Sequence, residues 1–593
     1  MTFQRLKRRM NRRFLLRAGL TGSILAGMLP VTALSVFTAF GSAARTEAGS
    51  SADRALARES TQDLALTGES IPETEEVSDW WEEEFGEPLP DQEDASEGTR
   101  EQYPYETGED TADSGETLIF EVSELPDGTG SVKVDTALLT GRKLILRIPR
   151  QIGKWEITAI EADGFSILRD SLAGLVLPET IRTIGEGAFR DCSSLRTVTF
   201  GRNLEDIGDY AFAGCSSLIR AGLRKGIVRI GAHAFDGCVS LAGVSFPEGL
   251  TEICDFAFQG CGMQNKIRLP ATLQKIGTGA FAGSTAAEFI VNAANTVYES
   301  RDGMLLSRGD HALEAYPGGS SDRFCRISDD IVSIRPYAFF GAANLRILAL
   351  PDSLKDIGEF AFSRSGIRRF RLSDKHAVYE LIGGAIYRKR SGFTARTLIA
   401  YPPGRTEKIH LIPQDTRRIL AGAFSGNPFL EKVFFPEGLV QIQRAAFAGC
   451  EALEEVRLPS TVFDMDEEAF AGCSALKEVS LSEELIWISE KTFAGCSSLE
   501  NVVFREGLTA ISREAFEGCS SLRRLRLPST LQLIDTRAFG DCSALTYVRL
   551  PASIRWLSED AFEGSDVFSE QQWKQALREA AKNRRNISET SAD

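Results

Sequence analysis

Five arginines stand at one recurring position. Arg268, Arg371, Arg457, Arg526 and Arg549 each precede the last apolar residue of a short L-x-x-V-x-L segment, and Arg369, Arg524 and Tyr547 lie two residues earlier in their own segments. A guanidinium is a planar fork of N–H donors that grips carboxylate, sulfate or phosphate oxygens two at a time. Side chains two apart in an extended strand share a face. Parallel stacking of the segments therefore predicts Arg526 beside Arg549, flanked by Arg524 and Tyr547. The candidate ligand-binding set is Arg457, Arg524, Arg526, Tyr547, Arg549, Arg371 and Arg369, with an acidic glycan or an acidic protein segment as its partner. The opposing expectation is that these arginines are solvated or paired with acids such as Glu455 and Glu478.

Other chemistry has little material. The four histidines, His233, His311, His376 and His410, share no spacing, and no G-x-S-x-G, H-E-x-x-H, phosphate-cradling or EF-hand pattern occurs. Catalytic residues, metal sites and cofactors are therefore expected to be none. Nine of the eleven cysteines, Cys192, Cys215, Cys238, Cys261, Cys450, Cys473, Cys496, Cys519 and Cys542, follow an Ala-Phe pair by three residues. That regularity predicts two columns of small packing side chains, and no C-x-x-C pair supports zinc.

The element that positions all of these is a repeat. Phe189, Phe212, Phe235, Phe258 and Phe281 recur every 23 residues, as do Phe339 with Phe362 and the series Phe424, Phe447, Phe470, Phe493, Phe516, Phe539 and Phe562. A strict period of this length marks a solenoid, in which each unit buries its apolar side only by stacking on neighbours. The unit L-x-x-V-x-L-P-x-x-L-x-x-I-x-x-x-A-F-x-G-C-S-S is nearly intact from Leu453 to Ala475 and from Leu522 to Ala544. Its opening reads as a strand that the following proline stops, because Pro459, Pro528 and Pro551 have no N–H for a continuing ladder.

This unit closely resembles the bacterial leucine-rich repeat of the BspA type, over roughly residues 117 to 565. The resemblance implies a right-handed superhelical solenoid of short parallel strands with one-turn helical or irregular back segments, about 17 coils of 23 residues, opened by a β-rich cap over 117–165. It also implies a secreted or cell-surface protein that adheres to proteins or glycans and is not an enzyme. At about 4.8 Å per coil the array reaches on the order of 80 Å.

Within the solenoid, 166–565, two insertions near 290–325 and 373–410 interrupt the period. They match each other, Val297-Tyr298, Gly303 and Tyr316-Pro317 answering Val378-Tyr379, Gly384 and Tyr401-Pro402. Alternating residues around Met304 to Leu306 and Ala385 to Tyr387 predict β-hairpins projecting from the rod, as a bend or splice or as a binding ledge. Residues 566–593 are predicted to hold a helix from Glu570 to Arg585 that caps the open end.

The first 45 residues read as an export signal: seven Arg or Lys in 1–17, then no charge from 18 to 40. Cleavage and retention as a membrane anchor through 18–40 are both open. Residues 46–116 carry 23 acids against 3 arginines, which predicts a disordered, self-repelling tether. Since the whole chain is −16 and the first 45 residues are +8, the tether at −20 leaves residues from 117 onward at −4. Acidity is thus a property of the tether, and nucleic acid is a poor partner. Two rivals to adhesion are an envelope scaffold without external ligand and the substrate-binding platform of an envelope hydrolase.

Overall fold

The computed structural model describes residues 100–103, 106–107, 117–138, 143–263, 266–390 and 395–590. The export signal or anchor and most of the acidic tether lie outside them.

Each 23-residue coil contributes one strand to a front ladder and a shorter one to a back ladder. The front strands are the L-x-x-V-x-L segments, such as Glu455–Arg457, Glu478–Ser480 and Asn501–Val503, paired in parallel one coil apart. The back was expected to be irregular or a single helical turn. Instead two-residue strands ending in isoleucine, such as Asp206–Ile207, Arg229–Ile230 and Glu252–Ile253, form a second parallel ladder. The β-branched isoleucine suits an extended backbone, and Ile207, Ile230 and Ile253 are fully buried. Only the three-residue 3₁₀ turn Ser166–Leu168 and one terminal α-helix break the β character among the described residues.

Between the ladders the Phe rings stack in register. Phe189, Phe212 and Phe235 stand 5.2 and 5.3 Å apart with planes within 9°, and the rings from Phe424 to Phe562 continue in the same way. The Gly-Cys corner turns back through the left-handed region, Gly472 having φ +70°, a conformation that costs glycine little. Every corner thiol but that of Cys192 then donates to a carbonyl of the preceding coil: Cys473 Sγ lies 3.3 Å from Phe447 O and Cys496 Sγ 3.3 Å from Phe470 O. The cysteines are buried and unbridged, so they pack as small apolar residues while spending their one weak donor.

From Phe189 to Phe539 the residue two before each repeat Phe also takes positive φ and forms a column of its own. In the first half it is aromatic: Tyr210 stacks on His233 at 4.7 Å and His233 on Phe256 at 5.0 Å. In the last coils the same column reads Glu468, Lys491, Glu514, Arg537, with Lys491 3.1 Å from Glu514.

The insertions divide the core into three blocks. At the first, Tyr298–Arg301, Met304–Ser307 and Ala312–Ala315 form an antiparallel meander whose last strand pairs in parallel with Ser333–Ile334 of the back ladder. Tyr379–Ile382, Ala385–Arg388 and Arg396–Ala400 repeat the arrangement. These hairpins do not project. Leu305, Leu306, Ile386 and Tyr387 are buried, because the central strand of each meander is apolar on both faces and is spliced into the rod. Tyr316 and Tyr401, each 23 residues before the next Phe, start new ring columns, lying 5.1 Å from Phe339 and 5.1 Å from Phe424.

The N-terminal sheet begins earlier than the tether was expected to end. Arg100–Tyr103 pairs antiparallel with Thr117–Glu124, and Glu106–Thr107 with Leu144–Arg147. Backbone pairing to an open sheet edge does not require apolar side chains, so the acidic composition did not prevent it. At the other end Glu570–Thr590 is helical. Ser569 and Gln572 form a reciprocal capping box at its start. Trp573 packs on Phe562 and Phe568, Ala580 is buried, and Asn583 Nδ2 donates to the carbonyls of Ala552 and Ile554. The helix closes the apolar end of the last coil. Among the described residues no helix is long and apolar enough to cross a membrane.

Candidate functional site

The outward positions of the front ladder are set by the strand alternation, one apolar residue inward between two outward neighbours. In Arg524–Arg526 the central Leu525 is buried and both arginines are exposed. Tyr547–Arg549 pairs with it in parallel, register Arg524 to Tyr547 and Arg526 to Arg549. The two guanidinium stems of Arg526 and Arg549 are therefore next-door neighbours, about 4.8 Å apart at the backbone, beside an exposed tyrosine. None of Arg524, Arg526 and Arg549 has an ion-pair partner among the described residues.

The other predicted residues do not join them. Arg457 sits three coils earlier, with Ser480 and Val503 between, and is held by Glu455, which also takes Lys432 at 3.3 Å. Glu455 thus neutralises Arg457 as the opposing expectation had it, while no ion pair of Glu478 with an arginine is seen among the described residues. Arg369 and Arg371 belong to a different ladder, Phe324–Arg326, Ile347–Ala349 and Arg369–Arg371, where Arg371 lies over the Phe324 ring at 5.6 Å. Arg268 is exposed on Lys266–Leu269 in the first block. The set resolves into one unpaired terminal cluster, Arg524, Arg526, Tyr547 and Arg549, and separate outliers.

The same face carries a feature the arginine pattern did not reveal. Ile409, Leu411 and Phe434 occupy the outward positions at the start of the third block and are 54%, 68% and 47% exposed. Reading the outward positions for apolar residues as well as for arginines would have found them. The face thus runs from apolar, through the mixed charges of Lys432, Glu455 and Arg457, to basic and aromatic at the end, spanning roughly 30 Å over six strand steps.

A family model described as the BspA type leucine rich repeat region matches residues 158–288, 319–388, 406–523 and 487–583. No curated protein matches the chain. Three solved structures are similar in their repeats. A leucine rich cell surface protein from Faecalibacterium prausnitzii is 22% identical over 67% of this chain and 94% of that one, with a TM-score of 0.36. The pneumococcal vaccine antigen PcpA is 19% identical over 71% and 92%, TM-score 0.39. A leucine-rich repeat protein from Bacteroides ovatus is 22% identical over 80% and 98%, TM-score 0.29.

Proposed function

We propose that this chain, which belongs to the BspA type leucine-rich repeat family, is an exported surface protein that adheres to an acidic partner through the front face of its last coils. The observation that supports this reading is the pairing of Arg526 with Arg549, exposed, in register and without a neutralising acid. Two like charges held at the strand spacing of about 4.8 Å would repel by about 1 kcal/mol even at the dielectric of water. A sulfate or carboxylate placed between them reverses the sign of that term, and the forked donors add direction to it. Tyr547 supplies a flat apolar surface beside the charges. The ladder holds the backbone in place, so the ordering entropy that opposes binding is confined to the side chains.

The test is a screen of the intact protein and the Arg524→Ser/Arg526→Ser/Arg549→Ser variant against sulfated and carboxylated glycans and extracellular-matrix proteins. The expected result is salt-sensitive binding that the variant loses by at least about tenfold, with an unchanged melting temperature. Equal binding by both proteins would remove the terminal cluster from the interaction.

A further inference from the structure

Because the two insertions build the same junction twice, they can be compared position by position. Ile276, Phe281, Leu305, Ala315 and Tyr316 of the first correspond to Ile357, Phe362, Ile386, Ala400 and Tyr401 of the second. The frames are alike, yet the space inside them is not. The first junction encloses an open-mouthed cavity of about 340 Å³, whereas the second leaves about 10 Å³, room for roughly one water.

The residues that differ explain the volume. Gly279 stands where the second junction has Phe360, whose ring lies so close over Gly422 that a Cβ added there would come within 2.3 Å of it. No ring stands at Gly279, and Tyr337, the counterpart of Gly422, packs against Phe256 at 5.0 Å and becomes part of the cavity wall. Glu314 replaces the buried Ile399, and Arg335 replaces Leu420. The walls that result are polar. Arg335 Nε is 3.2 Å from Glu314 and the same guanidinium reaches Asp310. Burial pushes the Glu314 carboxyl up, against the pull of Arg335. Two backbone donors are also unspent. One coil earlier, the N–H groups of Phe256 and Phe258 donate to Thr278 O at 3.0 Å and Ala280 O at 2.8 Å. The meander displaces the next coil at the junction, and the equivalent N–H groups of Gly279 and Phe281 have no acceptor among the described residues. The rings of Phe281, Tyr298 and Tyr316 complete the lining.

The geometry points to a binding site for a single neutral sugar unit, free or at the end of a glycan, in the first-junction cavity. Such a ring offers hydroxyl oxygens to the Gly279 and Phe281 N–H groups and to Arg335, hydroxyl protons to Glu314, and a C–H face to the aromatic wall. The two backbone N–H groups then meet the acceptors they lack, and the hydroxyls reach the lone pairs and N–H donors that the Glu314–Arg335 ion pair leaves over, a combination that an apolar ligand does not provide. Arg335, the one cation of the lining, is already paired with Glu314 and with Asp310, which disfavours uronic acids. The site stands apart from the terminal arginine cluster and does not rest on it.

The test uses the full chain in ligand-observed NMR and calorimetry with neutral hexoses, N-acetylhexosamines, uronic acids and free amino acids as probes. Two variants copy the second junction: Gly279→Phe fills the cavity and Glu314→Ile removes its acceptor. The expected result is saturable binding of at least one neutral sugar, weakened about tenfold or more in both variants and unchanged in the Arg524→Ser/Arg526→Ser/Arg549→Ser protein. The phenylalanine must displace the Phe256 ring, so if Gly279→Phe fails to fold, Glu314→Ile alone decides the outcome. No saturable sugar, equal binding by Glu314→Ile, or tighter binding of a uronic acid or an amino acid would overturn the assignment.

Discussion

Acid should loosen the second junction through one histidine. His410 is 3% exposed, sits between Ile409 and Leu411 on the first front strand of the third block, and shares a 3.0 Å hydrogen bond between its Nε2 and the Tyr387 hydroxyl. The Tyr401 and Phe424 rings stand edge-on at 4.9 and 5.7 Å. Burial, helped by the nearby Arg405 charge, lowers its pKa from 6.5 to about 4. The unfolded chain therefore takes up a proton between pH 6.5 and 4 that the folded chain refuses. Stability falls as pH drops through that window and is unaffected by this group above it. The loss is about 2 kcal/mol at pH 5 and approaches about 3 kcal/mol at the acid limit. Urea unfolding at pH 7.5, 6, 5 and 4.5, for the native chain and for His410→Gln, isolates the term, because the carboxylates titrate alike in both. The native protein should show the steeper acid loss by about that amount. Parallel pH profiles for the two proteins would refute the assignment of a neutral, desolvated imidazole.

Three further outcomes follow from the core. Phe493 is fully buried between Phe470 and Phe516, at 5.6 and 5.2 Å, so Phe493→Ala should cost about 4 kcal/mol, whereas Phe324→Ala, half exposed on the front face, should stay within about 0.5 kcal/mol; similar costs in denaturant unfolding would contradict the stacked-column account. Burial pushes the thiols of Cys192, Cys450 and Cys542 up to about 12 from 9.0, so stability is kept below pH 9 and lost as pH rises from 9 towards 12, and Cys→Ala variants in the column should flatten that loss. Without reductant, all eleven thiols should be alkylated in denaturant and few of them in the native protein; thiols already blocked in denaturant would end the packing reading.

The 23-residue beat and the front-face register were legible in the sequence because both are carried by identity at a fixed spacing. Arg526 and Arg549 are 23 apart, and one coil of parallel stacking makes them neighbours. The back ladder was not legible, since a strand of two residues has no alternation to detect and its isoleucine serves equally well in a turn. Tyr316 and Tyr401 carried the register through the insertions, but a tyrosine before proline does not resemble Ala-Phe-x-Gly. The strand Arg100–Tyr103 was hidden by an acidic composition that describes side chains and says nothing of a free sheet edge. The terminal arginine cluster was readable, while its separation from Arg457 and Arg371 required knowing where ladders begin and end. The cavity required more: Gly279 is unremarked until Phe360 is seen to fill the matching space.

The duplicated junctions also bear on how such a chain changes length. Ile276 and Ile357 are 81 residues apart and occupy the same place at the end of a back ladder, ahead of the same meander. A deletion of residues 276–356 brings Ile357 next to Lys275 with every strand still in phase, and the ring of Phe360 arrives to pack the surviving splice. Unequal recombination between the two copies thus adds or removes a whole block as a cassette. A lineage can shorten or extend its reach, and gain or lose the open chamber with it, without passing through a misregistered intermediate.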